Sequence, residues 1–306
     1  MSTLTPTLLS NLSDELAEAV DRAGSGVVTV EARHRLPASG IIWQRDGLIV
    51  TANHVVERDE EIGIGLPDGR TADATLVARD PGSDIALLRI EASDINPLPR
   101  TPSLPRVGQL SLAIGRPGPS GPMASLGVIS TVAGPLRLQG GGSLERYVRA
   151  DVAMLPGFSG GPLVDAAGNL IGLNSSTLGR AGGLTVLTES IDAIAASLLQ
   201  HGRVRRGYLG VGAQAVRLPS ALASSVGQDQ GLMIVSVESG GPADRGGLML
   251  GDLILAIAGE PVVQVEQLQE RLTGDRVGSS IPIRFVRGGE PKELAVTVGE
   301  RQRQGD

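Results

Sequence analysis

Leu155-Pro156-Gly157-Phe158-Ser159-Gly160-Gly161-Pro162-Leu163 is the stretch on which the reading of this chain turns. A serine followed by two glycines and a proline makes neither a good helix nor a good strand. A tight turn that lifts Ser159 Oγ into the open accounts for the run. In such a turn the N–H groups of Gly157 and Ser159 converge beside the hydroxyl. That supplies a nucleophile and two donors for the negative oxygen that develops in acyl transfer. Ordinary surface turns have the same composition, so the chemistry needs a base and an orienting acid elsewhere.

Both are found by working outward. Thr51-Ala52-Asn53-His54-Val55-Val56 puts a histidine just past a strand end, and Asp80-Pro81-Gly82-Ser83-Asp84-Ile85 puts an aspartate at the start of another. Alone, a histidine is an ordinary structural or solvated residue and an aspartate before a strand caps a turn. Together with Ser159 they give a nucleophile, a base of suitable chemistry and a carboxylate to fix the imidazole tautomer. The order His…Asp…Ser is that of the chymotrypsin arrangement, and the chain around it reads as β-rich. Short apolar runs at 27–30, 41–43, 48–50, 61–66, 71–77, 85–90, 109–114, 125–132, 145–148, 161–164, 170–175 and 183–187 are separated by turn residues, as in a barrel or sandwich pair. Asp46-Gly47 between two such runs is a hairpin signal.

Helical spacing appears twice in this part. Leu9, Leu12, Leu16, Ala19 and Val20 predict an amphipathic helix, capped at Ser10 or Ser13 and stopped at Gly24, packed on the body or on a neighbouring subunit. Ile191, Ile194, Ala195, Leu198 and Leu199 predict another over 190–201 that closes the first domain. Gly134 to Ser143, with three consecutive glycines, reads as a mobile loop. The organisation expected is an N-terminal helical segment at 1–24, a first domain at 25–201, a linker at 202–206 and a small α+β module at 207–306.

Composition excludes several alternatives. With 306 residues the chain is long enough for about two domains. Its 43 glycines and 19 prolines fit many turns and short strands. The net charge of −6 argues against a nucleic-acid surface. No cysteine is present, which removes disulfides and thiol catalysis, and His34, His54 and His201 are not at metal-ligand spacing. No metal or other cofactor is expected. No apolar run reaches the ~18 residues needed to span a bilayer, and Met-Ser-Thr-Leu-Thr-Pro lacks a secretory signal pattern. A cytoplasmic setting is therefore expected, or an extracytoplasmic one if a leader was removed.

The local sequences resemble those of the HtrA (Deg) serine proteases over nearly the whole chain. The matching pieces are Ser39-Gly40-Ile41-Ile42, His54-Val55-Val56, Asp80 through Leu87, Ala113-Ile114-Gly115, Gly127-Val128-Ile129-Ser130, Asp151-Val152-Ala153, Gly157 through Val164 and Gly168 through Asn174. In the second module, Gly240-Gly241-Pro242-Ala243 and Gly247 through Ile254 resemble the PDZ domain such proteases carry.

The resemblance implies a mainly β fold, a chymotrypsin-like double β-barrel followed by a small α+β PDZ domain. It implies His54, Asp84 and Ser159 as the triad, and Gly157, Phe158 and Ser159 as the oxyanion turn. Leu155, Leu173, Asn174 and Ser175 are implied to bind substrate. Tyr208, Leu209, Gly210, Val211 and Leu268 are implied to bind a peptide C-terminus, as a strand added beside a carboxylate-binding loop. It further implies an ATP-independent endopeptidase for unfolded or damaged proteins, working as a trimer. The alternative is a chaperone or peptide-binding scaffold with an idle protease domain. Two departures bear on it. Asparagine usually precedes the serine, whereas here it is Phe158, expected to alter the loop's resting state or the leaving-group side. A Phe-Ala-Ile-Pro-like run is replaced by Thr185-Val186-Leu187-Thr188.

Overall fold

Pairing register, more than any single element, brings the distant parts of this chain together. The computed structural model describes residues 7–34, 36–92, 94–138, 143–179, 183–205, 207–272 and 276–300, without the side chains of 266 and 270. The chain divides into two compact units, Met1–Val204 and Arg205–Asp306.

In the first unit, α1 (Leu8–Gly24) starts where the Thr7 hydroxyl accepts from Ser10 N–H. The cap is thus Thr7 rather than Ser10 or Ser13, and Gly24 is the last helical residue. Only the C-terminal half docks: Ala19, Ala23 and Gly24 are buried, whereas Leu8 and Leu9 are 86% and 77% exposed.

Six strands then close a barrel in the order β1-β2-β3-β6-β5-β4. They are β1 (Val27–Glu31), β2 (Ala38–Ile42), β3 (Leu48–Ala52), β4 (Ile62–Gly65), β5 (Thr71–Asp80) and β6 (Ile85–Ile90). Runs rich in Val, Ile and Leu suit this architecture, because β2 and β3 are buried at every position. The β3–β6 register, Leu48↔Arg89 through Ala52↔Ile85, sets the end of β3 beside the start of β6. His54 follows one and Asp84 precedes the other.

A second barrel, in the order β11-β14-β13-β12-β7-β8, uses β7 (Leu110–Gly115) and β8 (Met123–Ala133). Next come β9 (Leu136–Arg137) and β10 (Ser143–Leu144), which pair with each other as a two-stranded ribbon. The stretch read as a mobile loop therefore has paired ends, and its residues 139–142 lie outside the described residues. The barrel is completed by β11 (Tyr147–Ala150), β12 (Pro162–Asp165), β13 (Leu170–Ser175) and β14 (Leu184–Leu187). Here Pro162↔Leu173 pairing sets the Ser159 turn beside the end of β13. The helix α2 (Thr188–His201) ends at Gly202, whose φ of 69° supplies the left-handed C-cap.

The second unit is a sheet ordered β16-β17-β18-β20-β21 with three short helices among the described residues. Along the chain these are β15 (Gly207–Tyr208), β16 (Val211–Arg217), α3 (Ser220–Val226), β17 (Gln230–Val237), α4 (Pro242–Arg245) and β18 (Leu253–Ile257). They continue with β19 (Glu260–Pro261), α5 (Val265–Glu270), β20 (Ser280–Arg287), β21 (Glu290–Thr297) and β22 (Gly299–Glu300). The strand pair β15–β22 closes the ends of the unit. The seven-residue α3 was not anticipated from sequence, because it is too short to display a helical period. Its core holds Leu209, Leu268, Ile257 and Phe285.

Candidate active site

The turn from Leu155 to Gly161 is best understood by following its backbone. Leu155 N–H donates to Ala153 O, Phe158 N–H to Leu155 O, Gly160 N–H to Asn174 O and Gly161 N–H to Phe158 O. Pro156 has no N–H. Among the described residues the N–H groups of Gly157 and Ser159 are left without an acceptor. Buried backbone donors are nearly always paired, so two free ones at one serine, its own and that of Gly157, are a feature to be explained. Gly157 holds φ of 89°, and a Cβ there would meet Pro117 and Pro37 O. Glycine is required by conformation and by space alike.

The His54–Asp84 pair forms at the mouth of the first barrel. Asp84 has φ of 57°, a left-handed conformation that aspartate tolerates better than most residues. The turn before it is fixed by Asp80, which accepts from Ser83 Oγ at 2.7 Å and Ser83 N–H at 2.9 Å. Asp84 Oδ1 accepts from His54 N–H at 2.8 Å, and Oδ2 lies 2.8 Å from His54 Nδ1. The same Oδ2 accepts from Ser175 Oγ at 2.5 Å and Thr177 Oγ1 at 3.1 Å. With a carboxylate on Nδ1, the imidazole carries its proton there and offers Nε2 as a base.

Burial pushes the Asp84 carboxyl up. The hydrogen bond and charge of His54, with the Ser175 hydroxyl and His54 N–H, outweigh burial and hold it below its ordinary 3.8. The stability this carboxylate contributes is therefore complete above pH 3.8 and lost as pH falls through the lowered value.

Ser159 differs from the sequence expectation of an open hydroxyl: the residue is 8% exposed. Its Oγ lies 2.8 Å from Ser176 Oγ and accepts from Ser176 N–H at 3.4 Å. Ser176 Oγ is in turn 3.5 Å from His54 Nε2, so a second hydroxyl stands between nucleophile and base. Sequence reasoning missed Ser176 and Thr177. The available signal was three consecutive hydroxyl residues, Ser175 to Thr177, at the end of a strand.

Phe158 points away from this chemistry. Its ring is fully buried in the second barrel with Ala113, Ile129, Val148, Leu163, Ile171 and Leu187, and lies so close to Gly115 that a Cβ there would be 2.5 Å from Cδ1.

Of the residues expected to bind substrate, Leu155 is 37% exposed, whereas Leu173, Asn174 and Ser175 are buried. The Asn174 side chain accepts from Thr185 Oγ1 at 2.8 Å, which gives the substituted Thr185 a place in the barrel. In the second unit Leu209 and Leu268 lie in its core. Gly210 has φ of 78° and Val211 begins β16. Among the described residues no group of three or more His, Cys, Asp or Glu is placed to hold a metal ion, and no helix is long and apolar enough to cross a membrane.

Comparison with known proteins gives matches to both units. A trypsin-like peptidase domain model matches residues 38–173, and a PDZ domain model matches 207–298. The chain is 36% identical, over 87% of its length, to a probable periplasmic serine endoprotease DegP-like of Ectopseudomonas mendocina. It spans 57% of that relative, and 56% of a similarly described protein of Halomonas elongata that is also 36% identical. A solved structure of the HtrA-type protease AlgW with a tripeptide superposes with a TM-score of 0.79 at 33% identity, covering 94% of this chain and 98% of that one. The serine endoprotease from Yersinia pestis gives 0.78 at 28% identity, covering 97% and 100%.

Proposed function

The chain belongs to the HtrA-type serine proteases, and on that premise we propose that it is an ATP-independent serine endopeptidase acting on unfolded or damaged proteins. The observation that carries the reading is the pair of unpaired N–H groups of Gly157 and Ser159, together with the His54–Asp84 pair. Ser159 leaves Ser176, gives its proton to His54 Nε2 and bonds to the scissile carbonyl carbon. The carbonyl oxygen, now negative, accepts from Gly157 and Ser159 N–H. His54 returns the proton to the leaving amine, and a water molecule repeats the sequence to release the acyl group. Asp84 keeps His54 in the required tautomer throughout.

The domain division that accompanies this reading is a helical segment at 1–24, a protease domain at 25–201, a linker at 202–206 and a PDZ domain at 207–306. The PDZ domain takes peptide C-termini at the Tyr208–Val211 loop, consistent with a glycine in the left-handed region there. The setting is extracytoplasmic rather than the cytoplasm expected from sequence, following the periplasmic description of the relatives. The scaffold alternative drew on Phe158 and on the altered 185–188 segment; the Phe158 ring is packed into a barrel, Thr185 donates to the Asn174 side chain, and the relatives matched are described as endoproteases.

Incubation with a fluorophosphonate in the presence of an unfolded protein, followed by peptide mapping, is expected to place the adduct on Ser159. An unlabelled protein, or an adduct on another serine, overturns the reading. By the family resemblance, cleavage is expected after small to medium aliphatic residues, and 173–176 contains no acidic side chain to attract a basic one. Mapped cleavage sites dominated by Arg or Lys would overturn that specificity.

A further inference from the structure

Ser39 lies 120 residues before Ser159 in the other barrel, yet three of its polar atoms face the turn or its support. Its N–H donates to Ser159 O at 3.2 Å. Its Oγ donates to Gly157 O at 2.7 Å and accepts from Arg116 N–H at 2.8 Å. Its carbonyl accepts from Thr51 Oγ1 at 2.7 Å. An N–H can only donate, so the bond from Arg116 commits the Ser39 proton to Gly157 O. The residue is fully buried, with no water to compete.

Arg116 is itself held: its guanidinium donates to Val27 O at 2.9 Å and Gly24 O at 3.0 Å, and its carbonyl accepts from Thr29 Oγ1 at 2.8 Å. The support behind Ser39 is thus the end of α1 and the first strand. The effect on the turn is specific. The Gly157–Phe158 peptide is pinned at both ends, its carbonyl by Ser39 Oγ and its N–H by Leu155 O. The two peptides on either side of it carry the unpaired N–H groups. Glycine at 157 offers little resistance to a peptide flip, so an external restraint on the peptide between the two unpaired N–H groups is what holds their relative orientation.

We propose that Ser39 is a positioning residue of the oxyanion turn, its hydroxyl clamping the Gly157 carbonyl so that the Gly157 and Ser159 N–H groups stay aimed at the reacting oxygen. The inference rests on the reading of Ser159 as nucleophile given above.

Ser39→Ala removes the clamp and keeps both backbone bonds. With a fluorogenic peptide built on a mapped cleavage site, kcat is expected to fall about 10–100-fold, somewhat less than removal of a whole oxyanion donor, with KM within about twofold. Affinity for the peptide aldehyde of the same sequence, whose hemiacetal oxygen sits among these donors, should fall by a similar factor. The ratio of aldehyde Ki to KM does not depend on the fraction of enzyme that is folded, so a merely structural role leaves it unchanged. Ser39→Cys, close in size and a weaker donor, should give the same split with a smaller loss. It stands in for Ser39→Ala if that variant does not fold. An unchanged Ki/KM ratio in the folded variant overturns the inference. Absence of label on Ser159 in the parent instead overturns the nucleophile reading, so the two failures are distinguishable.

Discussion

Exchange of Asp84 for asparagine is expected to lower kcat by about 10⁴ while leaving the fold intact. Asp84 Oδ2 is the acceptor for His54 Nδ1, Ser175 Oγ and Thr177 Oγ1 at once. Asparagine has one oxygen for these donors and places an NH₂ group where the other was. With that NH₂ toward Nδ1, the imidazole must accept there and carry its proton on Nε2, and it can no longer take the proton of Ser159. The size and shape of the side chain hardly change, so substrate binding should persist, with KM within about threefold. Single-turnover and steady-state kinetics on the mapped peptide check this, alongside circular dichroism. A fall in kcat of less than tenfold would remove Asp84 from its proposed role. The same exchange should also flatten the loss of stability below pH 3.8, because a lowered carboxylate no longer titrates there.

Truncation of Phe158 to alanine has the largest expected effect on stability, about 3–5 kcal/mol. The ring is fully buried among six residues that join β7, β8, β11, β12 and β13 with the end of β14. A cavity there cannot close easily, since the surrounding positions are held by barrel pairing. In a unit of this size the loss corresponds to a fall in Tm of about 6–20 °C, read from the unfolding of the first unit alone. Denaturant unfolding with a change below about 1 kcal/mol would show that the ring is not an anchor. Activity should fall too at temperatures where the unit stays folded, because Phe158 sits between the two unpaired N–H groups and fixes the backbone that carries them. Gly115→Ala, which brings a Cβ onto the same ring, should reproduce part of both effects.

Much of this molecule was legible without coordinates. The turn at Ser159, the strand end before His54 and the Asp80–Asp84 turn each carry their meaning in a few adjacent residues, because turn conformations are set by local φ and hydrogen-bond rules. The strands were legible for a related reason: apolar runs bounded by Gly and Pro identify themselves within six or eight residues. Most observed strands begin within two residues of expectation. The departures include the paired ends of the 134–143 stretch, whose strands of two residues are too short to leave a pattern, β2, which begins at Ala38 three residues before the expected run, the unanticipated α3 and the position of the α1 cap.

Residue type and near neighbours were enough to read the fold class, the two units and three residues of proposed catalytic importance. Long-range contacts were needed to place Ser39 Oγ on the Gly157 carbonyl, Ser176 between Ser159 and His54, and the Phe158 ring inside the barrel. Each of these is a contact across barrel strands or between barrels. A serine or a phenylalanine has the same local pattern whichever way it points. Its partner is fixed by strand register and barrel closure, which no short stretch of chain contains.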